Sequence, residues 1–430
     1  MTQTLTQSLD HPNIHRIVLN NGIVVLVKEN PTADIISARM FMRTGSCWET
    51  RSQAGLSHLL AATLTKGTET LSSLEIAEKV ESVGARLSAD TSTDYFLMSL
   101  KTVSADFENI LTLASQLLRS PSFPTEEVEL ERKITIQGIR SQQEQPFSVA
   151  FDQLRRAMYQ DHPYAFSTLG REETVSELSR DDIVAFHQSY FRPDRLIISI
   201  AGHITTELAT TLVEKVFGDW QIDPTPVTTL GLPTLVSNPE TGVISQETQQ
   251  SVIMLGYLTC SVNSSDYPVL KVINTYLGNG LSSRLFVELR EKRGLAYDVS
   301  AFYPTRLDRS QFVAYMGTAP ENTAIAIEGL RSEVERLVKV PLTEDELQVA
   351  KNKLLGQYAL GKQTNAQLAQ IYGWYETLGL GIEFDNQFQV DISKVTAEEV
   401  STVANRYFGE PYLSIVGPET AVKSSTVDSQ

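Results

Sequence analysis

Cysteine is almost absent: Cys47 and Cys260 are the only two in a chain of 430 residues. Two thiols cannot build a disulfide framework or a cysteine-rich metal site. A reducing, cytoplasmic compartment fits that usage. Long apolar runs are missing too, so no stretch reaches the roughly 20 residues that a membrane-spanning helix needs. Positive charge is in deficit, with 36 Lys and Arg against 52 Asp and Glu and a formal net charge of −16. That balance argues against nucleic acid as the main partner. It keeps a surface soluble, and it would also favour cationic peptides. The opening residues 1–10 have no basic region followed by an apolar core, as a secretory signal would, and lack the arginines of a mitochondrial presequence. No Gly-x-Ser-x-Gly elbow or Cys–His pairing suggests an unaided Ser or Cys hydrolase.

What is present is a globular composition, 41% hydrophobic, on a chain long enough for two or more domains. The chain also contains itself twice. Leu178-Ser179-Arg180-Asp181-Asp182-Ile183, then Tyr190-Phe191, then Leu196–Gly202 in the first half match three blocks in the second. Those are Val395-Thr396-Ala397-Glu398-Glu399-Val400, Tyr407-Phe408 and Tyr412–Gly417. Thr125-Glu126-Glu127 pairs in the same way with Thr343-Glu344-Asp345, and the strand-like Ser37–Thr44 with Ser251–Leu258. Ser179 and Thr396 are N-cap residues with acids in the first turn, where a helix dipole favours them. Thr125 and Thr343 open helices in the same manner. Each final block is a β-rich run ending in glycine. The repeat predicts a duplicated α+β domain, with halves at 1–221 and 241–430. Pro224, Pro226, Pro233 and Pro239 make 222–240 an extended linker. Near the start, Asn20-Asn21-Gly22 between Ile17–Leu19 and Ile23–Val27 predicts a hairpin.

Residues 55–68 carry the sharpest signal. They read Gly-Leu-Ser-His-Leu-Leu-Ala-Ala-Thr-Leu-Thr-Lys-Gly-Thr. On a helix, positions i, i+3 and i+4 share a face, so His at i and i+4 can grip one metal while a Glu between them activates its water. In frame and flanks the stretch resembles the zinc helix of the pitrilysin/insulinase (M16) family of metallopeptidases, whose core is His-x-x-Glu-His. Here the core is His58-Leu59-Leu60-Ala61-Ala62. Ala61 cannot take a proton and Ala62 cannot bind a metal. The family's third ligand is a Glu on a later helix. The matching stretch here is Ile134-Thr135-Ile136-Gln137-Gly138-Ile139, with both acidic positions lost to Gln137 and Gly138. A catalytic zinc needs about three protein ligands, so His58 alone reads as an ordinary helix histidine and no metal is expected on this chain.

A second motif is intact. Residues 277–297 read Leu-Gly-Asn-Gly-Leu-Ser-Ser-Arg-Leu-Phe-Val-Glu-Leu-Arg-Glu-Lys-Arg-Gly-Leu-Ala-Tyr. Gly278 and Gly280 make a loop, Ser282 or Ser283 caps a helix, and Leu285, Phe286 and Leu289 line its buried face. Gly294 ends it, and a strand begins at Leu295. The stretch resembles the family's Arg–Tyr motif, in which the C-terminal half contacts substrate at the zinc site. By position these residues are Arg290 and Tyr297, in preference to Arg284 or Arg293. A tyrosine hydroxyl can donate to an oxyanion, and an arginine can hold a carbonyl or carboxylate. The Gly278–Gly280 loop is expected to contact substrate beside them. Two lesser stretches also match. Asp161-His162-Pro163-Tyr164 reads as a structural turn. Gly84-Ala85-Arg86-Leu87-Ser88 reads as an edge strand open to peptide, with Ser88 where catalytic relatives carry Asn.

The resemblance runs from about Ile14 to Gly417. It implies two homologous halves, each a mixed sheet with helices on one face, together half of a clamshell chamber. The losses fall in one half and the intact motif in the other. The expected function is therefore a non-zinc subunit of a heterodimeric peptidase. It would lend Arg290 and Tyr297 to zinc held by a related His-x-x-Glu-His chain, with an extended peptide as substrate. The alternative is an inactive scaffold or peptide-binding homodimer, like family members that serve as core subunits of respiratory complexes.

Overall fold

The structure is a computed structural model that describes residues 14–227 and 229–421. The N-terminal stretch read above for targeting signals lies outside the described residues. The first element is the expected hairpin. β1 (His15–Val18) and β2 (Val24–Glu29) pair antiparallel, and Gly22 takes the turn at φ +84°, where a side chain is strained. Asn21 is buried, and its amide donates to the Phe217 carbonyl at 2.7 Å.

The remaining strands of the first sheet are β3 (Ile35–Met42), β4 (Arg86–Thr91), β5 (Phe96–Val103) and β6 (Leu196–Gly202). The second sheet holds β7 (Thr241–Ser245), β8 (Ser251–Leu258), β9 (Asp298–Phe302), β10 (Gln311–Thr318) and β11 (Tyr412–Gly417). Their orders are β1-β2-β6-β3-β5-β4 and β7-β11-β8-β10-β9. Without the extra edge strand β1, the two are the same sheet. In each, one parallel pair (β2 with β6, β7 with β11) is followed by three antiparallel pairs. The repeat in the sequence is thus a repeat of topology. Its caps are matched as well. Ser179 accepts from the Asp182 amide and Thr396 from the Glu399 amide, each in a reciprocal capping box.

Two compact units form, and neither is a continuous stretch of chain. The first takes residues up to 139, 167–231 and 359–385; the second takes 140–166, 232–358 and 386 onward. The expected halves 1–221 and 241–430 therefore each give up one segment. In the first unit, Ala38, Met40 and Met42 of β3 turn into a core with the helices Leu56–Leu64 and Phe107–Arg119. The opposite face receives the helix Asn365–Thr377, where a side chain at Gly373 would lie 2.4 Å from the Phe41 ring. In the second unit, the helix Pro146–Tyr159 lies on β8 and β11. There Gly256 leaves room for Met158, and Ser414 donates to Gln153 at 2.6 Å. These are corresponding helices of the repeat, each following the long helix Thr125–Gln143 or Glu344–Leu360. Sheets covered on both faces have fully buried central strands, as β6 and β8 do. Residues 222–240 carry no helix or strand among those described, and one of the crossings between units, at 231/232, falls within them.

One core group makes the fold acid-sensitive. His187 is buried, with its Nε2 2.9 Å from the Leu118 carbonyl and its ring stacked on Phe191 at 4.6 Å. Burial disfavours the charged ring and lowers its pKa to about 4. A depressed histidine pKa means that the unfolded chain takes the proton first. The stabilisation is complete above about pH 6.5 and is lost as pH falls toward 4, in total roughly 3 kcal/mol. Urea unfolding at pH 7 and pH 4 should show wild type losing about that much more stability than His187→Phe; equal losses would contradict this assignment.

Candidate functional site

The His58 helix is held at its start by a residue that sequence reading passed over. Glu49 is buried, and its carboxylate accepts from the Gly55 amide at 2.9 Å, the Ser57 amide at 2.6 Å and the Ser57 hydroxyl. It satisfies first-turn donors that have no helical partner. Burial pushes its carboxyl up to about 8 against those three bonds, which pull the other way. Gly55 precedes the helix at φ +101°.

Along that helix His58 is partly buried, Ala61 is buried and Ala62 is partly exposed. Burial lowers the His58 pKa, opposed by the charges of Asp90 on β4 and Glu131 on the long helix Thr125–Gln143. Glu131 itself pairs with Lys66 at 2.8 Å. Gln137 is exposed and Gly138 partly buried on the same long helix. Glu131 lies two turns before Gly138, on the same face by helical spacing. That spacing was the available signal for it. Among the described residues no group of three or more His, Cys, Asp or Glu side chains could hold a metal ion. The residues at the family's zinc positions do not fit zinc: one imidazole, two methyl groups, a carboxamide and a glycine leave the ion without a coordination set.

The Arg–Tyr stretch lies in the second unit and departs from expectation in three places. Gly278 is not in a loop. It is the last residue of the buried helix Tyr267–Gly278, and a Cβ there would lie 1.9 Å from the Ala301 nitrogen. Its lack of a side chain is what lets the helix end meet β9. Gly280 does sit in a turn, at φ +76°, tied to the helix Glu344–Leu360 by Lys353, which bonds the Asn279 carbonyl and the Ser282 hydroxyl. Second, neither serine caps the following helix with its side chain, and the Ser283 hydroxyl is buried without a partner. Third, residues Phe286–Lys292 form a π-helical turn rather than an α-helix. Gly294 ends it at φ +63° as the sequence predicts. The closing bonds, Gly294 N–H to Arg290 O and Leu295 N–H to Leu289 O, are each one residue wider than in a Schellman motif, in keeping with the π register.

The three arginines now separate. Arg284 bonds Glu333 at 2.8 Å and lies 3.0 Å from Glu288, and Arg293 lies 3.5 Å from Glu333. Both serve internal ion pairs. Arg290 is exposed, and its guanidinium rests over the Phe286 ring at 5.0 Å with no carboxylate partner among the described residues. Tyr297 is 64% exposed, and its hydroxyl has no partner among those residues. Its backbone is nonetheless fixed, with its N–H donated to the Gly317 carbonyl at 2.9 Å just before β9 begins at Asp298. Both tips face solvent, while the backbone beneath Tyr297 is held by the sheet.

The remaining motifs are structural or open. His162 is buried, its Nδ1 accepting from the Tyr164 amide at 3.1 Å and its Nε2 lying 3.2 Å from Asp308, which makes the turn a packed corner. Ser88 lies on β4, the outermost strand of the first sheet, paired with β5 alone.

Comparison with known proteins finds a match in each half of the sequence repeat. Residues 24–172 match the family described as Insulinase (Peptidase family M16), and residues 177–354 match the Peptidase M16 inactive domain. An uncharacterized zinc protease of Bacillus subtilis, YmxG, is 28% identical over 94% of this chain and 98% of its own length. An uncharacterized zinc protease of Mycobacterium leprae is 27% identical over 95% and 93%. Among solved structures, a protease from Helicobacter pylori superposes with a TM-score of 0.90 at 22% identity, covering 95% of this chain and all of that one, 100%. A peptidase M16 inactive domain from Pseudomonas fluorescens gives 0.88 at 23%, covering 94% and 98%. At those identities the superpositions speak for the fold. No helix among the described residues is long and apolar enough to cross a membrane.

Proposed function

Because the chain belongs to the M16 peptidase family yet lacks that family's His-x-x-Glu-His zinc motif, we propose that it is the non-zinc subunit of a two-chain metallopeptidase. Its Arg290 and Tyr297 act in trans on peptide bound at a partner's zinc. The observation that carries this reading is the state of those two side chains. Arg284 and Arg293 are absorbed in ion pairs with Glu288 and Glu333, while Arg290 and Tyr297 stand exposed and unpaired. A chain drifting into general inactivity has no reason to keep them so while losing every metal ligand but one.

In this reading the partner's zinc supplies the activated water and the Lewis acid. The Tyr297 hydroxyl donates a hydrogen bond to the oxygen that becomes negative as the peptide carbonyl turns tetrahedral. Arg290 holds a neighbouring carbonyl or carboxylate of the extended substrate, its planar fork kept in place by the Phe286 ring. Gly280 takes the adjoining turn at φ +76°, and Gly278 lets the helix end pack against β9.

The test uses the chain with and without a related chain that carries His-x-x-Glu-His, from the same genome. Alone, the purified chain should hold substoichiometric zinc by elemental analysis and cleave no peptide from a mixed-sequence library. Cleavage should appear on mixing. Stoichiometric zinc and activity in the isolated chain would overturn the proposal. Stable association without any gain in cleavage would favour the scaffold role.

A further inference from the structure

The first unit contains a cavity that the peptidase reading does not use. It is an open cleft of about 440 Å³ between β3 and the helix Asn365–Thr377. That volume is within the range of small-ligand sites, roughly 300–1,000 Å³. Gln367, Gln370, Ile371 and Trp374 line it from one stripe of the helix, Arg39 from β3 and Tyr95 from the connection between β4 and β5. Gly361 and Ala366 complete the wall with almost no side chain, which leaves the space open.

Arg39 is the unusual member. Its neighbours Ala38 and Met40 are fully buried in the core, and the alternation of β3 turns Arg39 to the other face. It is itself half-buried, and burial lowers its pKa with no acidic group pulling the other way. A guanidinium carries five N–H donors. Among the described residues this one makes a single hydrogen bond, from Nη1 to the Ala38 carbonyl at 3.2 Å. In a protein with 52 acidic residues, no described carboxylate pairs with this half-buried arginine. Elsewhere in the same unit Arg16 is treated differently, with Glu376 supplied at 2.9 Å.

We propose that this cavity is a binding site for a carboxylate joined to an apolar or aromatic group. The carboxylate lies in the fork of Arg39, the carboxamides of Gln367 and Gln370 flank it, and the apolar group packs against Ile371 and Trp374. Bidentate pairing with a planar guanidinium selects carboxylate geometry, and the aromatic wall rewards a hydrophobic neighbour. The site requires nothing of Arg290 or Tyr297, so it stands or falls apart from the proposed peptidase role.

Isothermal titration of the full chain with N-acetyl-leucyl-phenylalanine tests it, with the C-terminal amide of the same dipeptide as the neutral control. The acid should bind saturably and the amide at least about 10-fold more weakly, as expected for loss of a charge-assisted bond. Arg39→Gln should weaken the acid by about 10- to 100-fold and leave the amide unchanged. Should Arg39→Gln fail to fold, Ile371→Glu supplies a second test on the helix surface. Its own carboxylate would occupy the Arg39 fork, so it should abolish binding while the thermal unfolding curve stays intact. N-acetyl-glutamyl-phenylalanine amide separates a side-chain carboxylate from a chain end. Equal binding of acid and amide, no binding of either carboxylate probe, or undiminished binding by folded Arg39→Gln or Ile371→Glu would overturn the assignment.

Discussion

Tyr297→Phe should cut the peptidase activity of the mixed chains by about 10²–10³-fold, the usual loss on removing one oxyanion donor. The variant removes a single oxygen. Tyr297 is exposed and its hydroxyl bonds nothing among the described residues, so stability and assembly should be unchanged. The loss should therefore fall on kcat, because the bond strengthens only as charge develops in the transition state. Arg290→Ala should behave differently. It removes a contact to substrate in both ground and transition states, so KM should rise along with any fall in kcat. The two neighbouring arginines are the controls. Arg293→Ala breaks one ion pair to Glu333 and should alter stability more than turnover. Steady-state kinetics on the mixture decides; unchanged kcat with Tyr297→Phe would remove the tyrosine from the chemistry.

The second large effect is on stability. Gly278→Ala should destabilise the second unit by about 3 kcal/mol or more, at the upper end for overpacking. The new methyl would sit 1.9 Å from the Ala301 nitrogen and 2.6 Å from its Cα, both backbone atoms of β9. Flexible side chains can turn aside from such an overlap, whereas a paired strand cannot. The Ser300 hydroxyl bond to the Gly278 carbonyl, 2.6 Å, is strained by the same shift. Since Tyr297 leads directly into β9, activity in the mixture should fall with stability. Gly280→Ala meets only the end of the Lys353 side chain at 3.2 Å, and pays for its left-handed backbone about 1 kcal/mol. Thermal unfolding of the two variants should thus differ clearly, and a Gly278→Ala protein as stable as wild type would refute the packing role.

Much of this was legible in the sequence because it rests on local chemistry. Asn-Gly between apolar runs made the first hairpin, and Ser179 and Thr396 capped their helices as their positions required. The reading of the zinc positions needs only residue types: Ala61 and Ala62 bring no ligand side chain, and the Gln137 carboxamide is not among the Cys, His and carboxylate donors that zinc takes. The repeat, seen as matched blocks, became two sheets of one topology.

What could not be read depends on groups far apart along the chain. The exchange of helices Pro146–Tyr159 and Asn365–Thr377 rests on close packing at Gly256 and Gly373, which look like any other glycines in sequence. Preference among Arg284, Arg290 and Arg293 came from the family motif. The structural difference among them is Glu333, some forty positions on, which pairs with Arg284 and Arg293. Gly278 reads as a loop glycine in the sequence because glycine signals a turn and close packing alike. The wider π turn leaves no local signature in residues 286–292, where the apolar spacing suits an α-helix equally well.

The central claim is that this chain keeps one part of an active site and borrows the metal. Titrating a fixed amount of the zinc-bearing chain with this one measures it most directly. Cleavage should rise from near zero and saturate at one-to-one, and the Tyr297→Phe chain should compete for the partner while leaving cleavage near baseline. Full activity of the zinc chain without this one, or equal activation by the Tyr297→Phe, Arg290→Ala double variant, would contradict it.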